Sequence, residues 1–402
     1  GGRTGVMDTA SPIDISLDFD PERPIGKPPV WHEDVTLVPW AAEGDRGARR
    51  AAGLFDKAGR FLPEGHCWRY AAGPITIEPA FPDLKEKPER LEGRWLFGGL
   101  FYGHFGHFLV ESTARLWAIP QLDRPVDGIL FIPKRPKVGE ETRGFQTDFV
   151  RQIAQDAQIR VATEPTRVEE LVVPGQGFGL GRITAGTDAF RNAIHSHFAR
   201  GIDPDGPDRL YISRSALGLG KGGLLGEEWL EELLAKEGYE TFHPEKHDIA
   251  TQLARYKAAK KVVAADGSAL HLYSMVGTPD QPVAIILRRQ STANNLLAAN
   301  VTHFCGRDPL VIHALRTEWV KNEGKKKSNR LSFGELDHPV IGRALAAGGF
   351  IASAVWPEMT EAERRVLFDR KGLGQDFIES PQHVRKRIKA MREARRAAKA
   401  AD

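Results

Sequence analysis

From Leu210 to Leu287 the chain alternates apolar runs of strand length with helix-period stretches. The strands are Leu210 to Ser213, Tyr239 to Phe242, Val262 to Ala265 and Val283 to Leu287; the helices are Glu227 to Lys236, Asp248 to Ala259 and Ala269 to Met275. Strands that are apolar on both faces need cover on both sides, so short links through helices predict a parallel, doubly wound sheet. Residues 30–200 alternate less regularly, with strand-like runs at Ile75 to Ile77, Trp95 to Tyr102, Gly128 to Ile132 and Leu171 to Val173. Helix periods fall at His107 to Ile119, Phe145 to Ala157 and Asp188 to Phe198. The expected class is α/β throughout.

The turn-rich segment Gly201 to Asp208 continues neither neighbour, and it divides the chain. The expected units are an extended lead-in over 1–29, an α/β domain over 30–200, a second over 209–318 and, beyond the break at Lys321 to Ser328, a helical extension over 328–402. A length of 402 residues suits two or three domains. No internal repeat of fixed period is present.

With 56 Lys and Arg against 53 Asp and Glu, the charges nearly balance, so no overall field points to nucleic acid and any basic function must be local. Cys67 and Cys305 supply neither a disulfide framework nor a metal-binding pair, which fits a reducing cytoplasm. The longest apolar runs fall far short of the ~20 residues that span a bilayer. Gly1 to Val6 lack the basic-then-apolar pattern of a leader and read as residues ahead of a native start at Met7.

Ligands of a parallel α/β sheet bind beyond the carboxyl ends of its strands, where helix N-termini converge. That rule selects Arg214 after the first strand of the second unit, Glu245 after the next, and Asp266-Gly267-Ser268 after the third. Ser268 could cap the following helix, whose free N–H groups would face an anion beside the Arg214 guanidinium. A surface ion pair and a plain turn are the bland alternative. Gly218 to Gly223 satisfies G-x-G-x-x-G, but Ser215 to Leu217 intervene after the strand and the helix is expected only after Gly226. A flexible loop offering Lys221 to a phosphate competes there with an NAD- or FAD-dependent oxidoreductase.

In the first unit, His107, Glu111 and Arg115 follow helical spacing and can share one face, with His104 just ahead of them. A carboxylate beside an imidazole can orient it as a general base, whereas an exposed face with ion-pair partners would look the same in sequence. Neither Asp18-Phe19-Asp20 nor Asp203-Pro204-Asp205 follows a core strand, and His195 and His197, at i and i+2 on an expected helix, face apart, so no metal site is expected.

The stretch Gly106-His107-Phe108-Leu109-Val110-Glu111 through Trp117, then Arg209 to Arg214, Gly238 to Glu240 and Val262 to Leu270, resembles family 61 glycosyltransferases over about residues 95–290. The resemblance implies a GT-B arrangement of two facing Rossmann-like domains. It implies a nucleotide-sugar donor held by the second domain, and inversion at the anomeric carbon without an essential metal or other cofactor. Arg214 would then lie near the donor phosphates and His107 with Glu111 in the cleft, with His104 and Arg115 on the acceptor side. Asp266 stands where the family carries histidine, and Gly226-Glu227 where Asn-Glu is common, with a basic residue displaced to Lys221.

The expected reaction is transfer from a nucleotide sugar, a UDP-sugar in the leading reading, to a surface glycan acceptor. The base would be His107 or Asp266; Arg214, Lys221, Glu245, Gly267 and Ser268 would surround the donor. A degenerate homologue that binds glycan or nucleotide without turnover is the non-enzymatic rival. The basic stretch over 381–402 has Val384, Ile388 and Met391 at helical spacing, which suits either a solvated helix or peripheral contact with the inner face of the membrane and lipid-linked acceptors.

Overall fold

In the computed structural model, residues 25–39, 49–70, 73–83, 88–135, 142–290 and 294–401 are described. The carboxylate pair Asp18 and Asp20, and the lead-in up to residue 24, lie outside them. The first half is built on a six-stranded mixed sheet: β1 (Val30–Val38), β2 (Gly53–Phe55), β3 (Glu89–Phe101), β4 (Gly128–Pro133), β5 (Gln158–Val161) and β6 (Thr166–Val173), in the order β2-β1-β6-β3-β4-β5. β1 runs antiparallel to both of its neighbours, whereas β6, β3, β4 and β5 pair in parallel. A one-turn helix, α1 (Phe105–His107), leaves the carboxyl end of β3, and α2 (Gly144–Arg151) and α3 (Asp188–His197) pack beyond it.

The second half carries the parallel sheet that the alternation predicts. Its strands are β7 (Arg209–Ile212), β9 (Glu240–Phe242), β10 (Lys261–Ala265), β11 (Val283–Ile286) and β12 (Leu310–Ile312), in the order β9-β7-β10-β11-β12, with β8 (Gly223–Leu225) branching off after β7. The order reverses between β7 and β10, so a ligand crevice is expected at their carboxyl ends. Helices α4 (Glu227–Lys236), α5 (Ile249–Ala258), α6 (Ala269–Val276) and α7 (Asn294–Cys305) link these strands.

Side chains alternate across the sheet with period two. Tyr211, Val263, Ala265, Ala284 and Ile286 face a core under α4, while Leu210, Ile212, Val262, Ala264, Val283 and Ile285 face the other way. That second face merges with the core of the first half in one cluster, so the turn at 201–208 separates two sheets without separating two cores. Several helices start at a side chain that accepts an orphan N–H: Thr187 for α3, Asp248 for α5, and Thr360 with Glu363 as a capping box for the helix Glu361–Arg370.

The expected all-helical extension is instead mixed. β8 joins β13 (Leu315–Lys321), β14 (Phe333–Leu336) and β15 (Phe377–Glu379) in a second sheet, ordered β8-β14-β13-β15, so residues 315–379 are tied to the second unit by strand pairing. The lysine-rich break is the connection between β13 and β14. Helices α8 (His338–Ala347), α9 (Glu361–Arg370) and α10 (Pro381–Ala401) complete the chain, and no residue of α10 is buried.

Candidate functional site

The histidine segment departs from the regular helix that its spacing predicts. After α1 comes a π-helical turn, Phe108–Ser112, and then a tight helix, Leu116–Gln121, so the registry that would align residue 115 with 107 and 111 is lost. Arg115 is accordingly buried at 1% exposure, not facing an acceptor. Its guanidinium donates to the carbonyls of Glu64, His66 and Pro174, a structural role that locks the loop after β2 to the end of β6.

His107 and Glu111 do meet. His107 Nδ1 lies 2.7 Å from Glu111 Oε2, and Arg69 clamps the same carboxylate through Nε at 2.7 Å and Nη2 at 3.0 Å. The His107 ring stacks on Tyr102, centroids 5.4 Å apart at 28°, and meets the ring of His104 edge-on at 5.1 Å. His104 caps α1 by accepting from the His107 amide. Partial burial of the His104 ring pushes its pKa down to about 4, and His107, Lys221, Lys134 and Arg330 add positive charge around it.

The residues that the strand-end rule selects gather at the reversal point. Arg214 is half-buried after β7, and its guanidinium lies against Gly267, where a Cβ would come 2.7 Å from Nη1. Arg214 Nη2 donates to the Lys221 carbonyl at 2.8 Å, and its main-chain N–H donates to Glu227 Oε2 at 3.0 Å. Glu227 also accepts from the Tyr211 hydroxyl at 2.6 Å, and complete burial pushes its pKa up to about 7. Burial likewise raises the pKa of Asp266, against the opposing charges of Arg288, Arg289 and Arg214. Arg288 Nε donates to the Asp266 carbonyl at 3.0 Å. Lys221 and Glu245 are exposed at the rim of this edge.

One expectation fails here and another holds. Ser268 has helical dihedrals, φ −60° and ψ −22°, and its side chain makes no cap bond, because an N-cap needs extended backbone to fold its hydroxyl over the first turn. The glycine motif does not cross from a strand into a helix: Gly222 has φ +67°, Gly223 opens β8, and the helix follows only at Glu227. The close strand-to-helix turn of a dinucleotide site is therefore absent at this motif, which removes the basis of the oxidoreductase reading.

Three residues escaped the sequence reading. Arg288 and Arg289 follow β11 and satisfy the rule that selected Arg214, but the rule was applied only as far as the third strand. Arg69 sits on a short strand, Trp68–Tyr70, 42 positions from its partner Glu111, with no local signal to mark it.

Histidine pocket and arginine edge touch through glycine. A Cβ on Gly106 would lie 2.5 Å from Ser268 Oγ, so the start of the histidine segment rests directly on the turn after β10. Next to them His271 is buried, its Nδ1 bonded to Asn300, and its pKa is pushed down to about 4 by that burial. Among the described residues no cluster of three or more His, Cys, Asp or Glu could hold a metal ion.

Residues 105–277, somewhat under half of the chain, match the profile of the family described as Glycosyltransferase 61. No curated protein matches in sequence. Two solved structures align at low similarity. One is the iron-containing dodecameric glycosyltransferase TibC from enterotoxigenic E. coli H10407, at 11% identity over 85% of this chain and 91% of that one, with a TM-score of 0.29. The other is the dodecameric iron-containing heptosyltransferase TibC in complex with ADP-D-beta-D-heptose, at 11% identity over 86% and 92%, with a TM-score of 0.27. Scores this low do not establish a common fold.

Proposed function

We propose, from the match of residues 105–277 to glycosyltransferase family 61, an inverting transfer of sugar from a nucleotide sugar, in first place a UDP-sugar, to a hydroxyl of a surface glycan. The observation that carries this reading is the contact of Gly106 with Ser268, which brings a buttressed histidine beside a cation-rich edge. The two sheets then serve as the acceptor and donor sides of a GT-B-like frame.

Inversion needs a base on one face of the sugar and stabilisation of the leaving group on the other. His107 donates its Nδ1 proton to Glu111, which leaves the Nε2 lone pair to take the acceptor proton. As the acceptor oxygen bonds to the anomeric carbon, the bond to the diphosphate breaks and its electron pair stays with the phosphate. Arg214, Arg288, Arg289 and Lys221 supply positive charge for that anion, and Gly267 lets the Arg214 guanidinium lie close against the turn after β10. Arg214 Nε and Asp266 Oδ2 are buried without hydrogen-bond partners among the described residues, as befits groups that complete their bonding on a ligand. In this arrangement Asp266 orients arginines on the donor side and leaves the proton to His107, and Glu245 borders the nucleotide.

With this many cations in place, the leaving group needs no divalent metal. The test is transfer from a panel of nucleotide sugars in excess EDTA: turnover with an intact diphosphate product supports the reading. Loss of activity that Mn restores refutes the metal-free step, and tight UDP binding without transfer to any acceptor supports the non-catalytic rival.

We also read α10 as a peripheral contact for anionic lipid, which would bring lipid-linked acceptors to the cleft. Lys386 reaches Gln290, one residue past Arg289, so the helix leaves from the rim of the arginine edge. Ile388 and Met391 are exposed on its apolar stripe. Among the described residues no helix is long and apolar enough to cross a membrane.

A further inference from the structure

Arg69 lies outside the segment matched by the family, yet its guanidinium touches both supports of His107. We propose that Arg69 is a positioning residue that fixes which nitrogen of His107 carries the lone pair; the proposal rests on the reading of His107 as the base. Glu111 has its side chain 6% exposed and both oxygens engaged: Oε1 accepts from Arg69 Nε, and Oε2 accepts from Arg69 Nη2 and from His107 Nδ1. A carboxylate held by histidine alone can turn about its last torsion and present either oxygen. The two-pronged guanidinium bond fixes its plane, and with it the direction of the bond to Nδ1.

The same Nη2 donates to the Tyr102 hydroxyl at 2.8 Å, and the Tyr102 ring is the wall on which His107 stacks. One planar cation therefore orients the imidazole edge and its face together. Lysine can replace it only in part, because a single ammonium keeps the charge but offers no fixed fork. Other charged and titratable groups face this pocket, with Lys134 over the Tyr102 ring at 5.6 Å, His104 against the imidazole, and His271 beyond it. Among these groups and Arg69, it is Arg69 that bonds both oxygens of Glu111, so the orientation of the carboxylate falls to it.

The experiment uses the full chain with Arg69→Gln and Arg69→Lys, each alone and combined with His107→Ala. Long-range proton–nitrogen NMR of His107 reads the tautomer directly, whether or not the histidine acts in catalysis. The expected result is a single Nδ1–H tautomer in the parent and a mixture in Arg69→Gln. A fall in kcat of roughly 10- to 100-fold should accompany it, the usual cost of losing an outer hydrogen-bonding partner, with donor KM within about twofold. Arg69→Lys should recover part of kcat, and Arg69→Gln should cost nothing further once His107 is alanine. An unchanged tautomer with parent-like kcat, or an equal added loss in the His107→Ala background, overturns the proposal. If Arg69→Gln does not fold, Arg69→Lys decides by the same tautomer reading, a parent-like spectrum refuting the proposal. Full activity in His107→Ala would instead refute the base assignment, a separate outcome.

Discussion

The histidine segment and the arginine edge, two flanks of the candidate site, are finished to different degrees. Around His107 the polar atoms are satisfied within the chain: Glu111 has both oxygens bonded, Arg69 holds it, and Tyr102 and His104 bracket the ring. At the ends of β7, β10 and β11, by contrast, Arg214 Nε and Asp266 Oδ2 are buried with no partner among the described residues. A group that must hold one geometry through a proton transfer gains from a complete set of bonds. Arg214 Nε, a donor free to receive an anion, and Asp266 Oδ2, an acceptor free for a ligand hydroxyl or N–H, gain from bonds left open, at a cost in stability of roughly 1–3 kcal/mol for each unsatisfied atom. Under the proposed function, the histidine flank is preorganised and the arginine flank is completed by the donor.

That contrast is broken most severely by removing the base. His107→Ala should lower kcat by ~10²- to 10⁴-fold with little change in donor affinity, because a proton acceptor acts mainly in the transition state. Steady-state kinetics beside calorimetric donor binding separate the two, and a variant within a few-fold of the parent would remove His107 from catalysis. The opposite pattern is expected on the other flank. Arg214→Ala should weaken UDP or UDP-sugar binding by about 1.5–3 kcal/mol, the worth of a hydrogen bond to a charged group. Calorimetry that finds unchanged affinity would take Arg214 out of the donor site.

Acid sharpens the comparison from the histidine side. His271 is held at about 4 in the fold against an ordinary 6.5, so below 6.5 the unfolded chain binds more protons than the folded one. Stability is then full above 6.5 and is lost as pH falls toward 4, by up to a few kcal/mol at 1.36 kcal/mol per unit. Thermal midpoints across that range check it, and His271→Gln should flatten the slope; an unaltered slope would assign the loss to other groups. The smallest effect concerns α10. Vesicles with anionic lipid should pellet the chain at low salt and release it at high salt, at ~1 kcal/mol per basic residue near the surface. If a variant lacking 388–402 pellets equally, α10 makes no such contact.

The arginine flank was the more legible in sequence. Its strands are buried on both faces, so apolar runs such as Val262 to Ala265 stand out, and the strand order then carries Arg214, Gly267 and Ser268 to one edge. The histidine flank reads less well for a geometric reason. A π-helical turn and a regular helix can share the same short spacing, so His107 and Glu111 were paired correctly while Arg115 was sent outward in error. β14 and β15 have four and three residues and sit among charged segments, too short for alternation to reveal them. Arg69 could be found only in three dimensions.

The seat of Gly106 on Ser268, above a core that runs unbroken through both halves, bears on how such a chain can diverge. Domains joined by a hinge can be exchanged between relatives like cartridges, because little is matched across the joint. Here the joint is itself a fitted surface, and the missing side chain at position 106 is part of the fit. A chimera that keeps this histidine segment and imports a foreign donor half would inherit both the seam in the core and the clearance at 268. New sugar specificity should therefore arise by substitution around the arginine edge more readily than by trading whole halves.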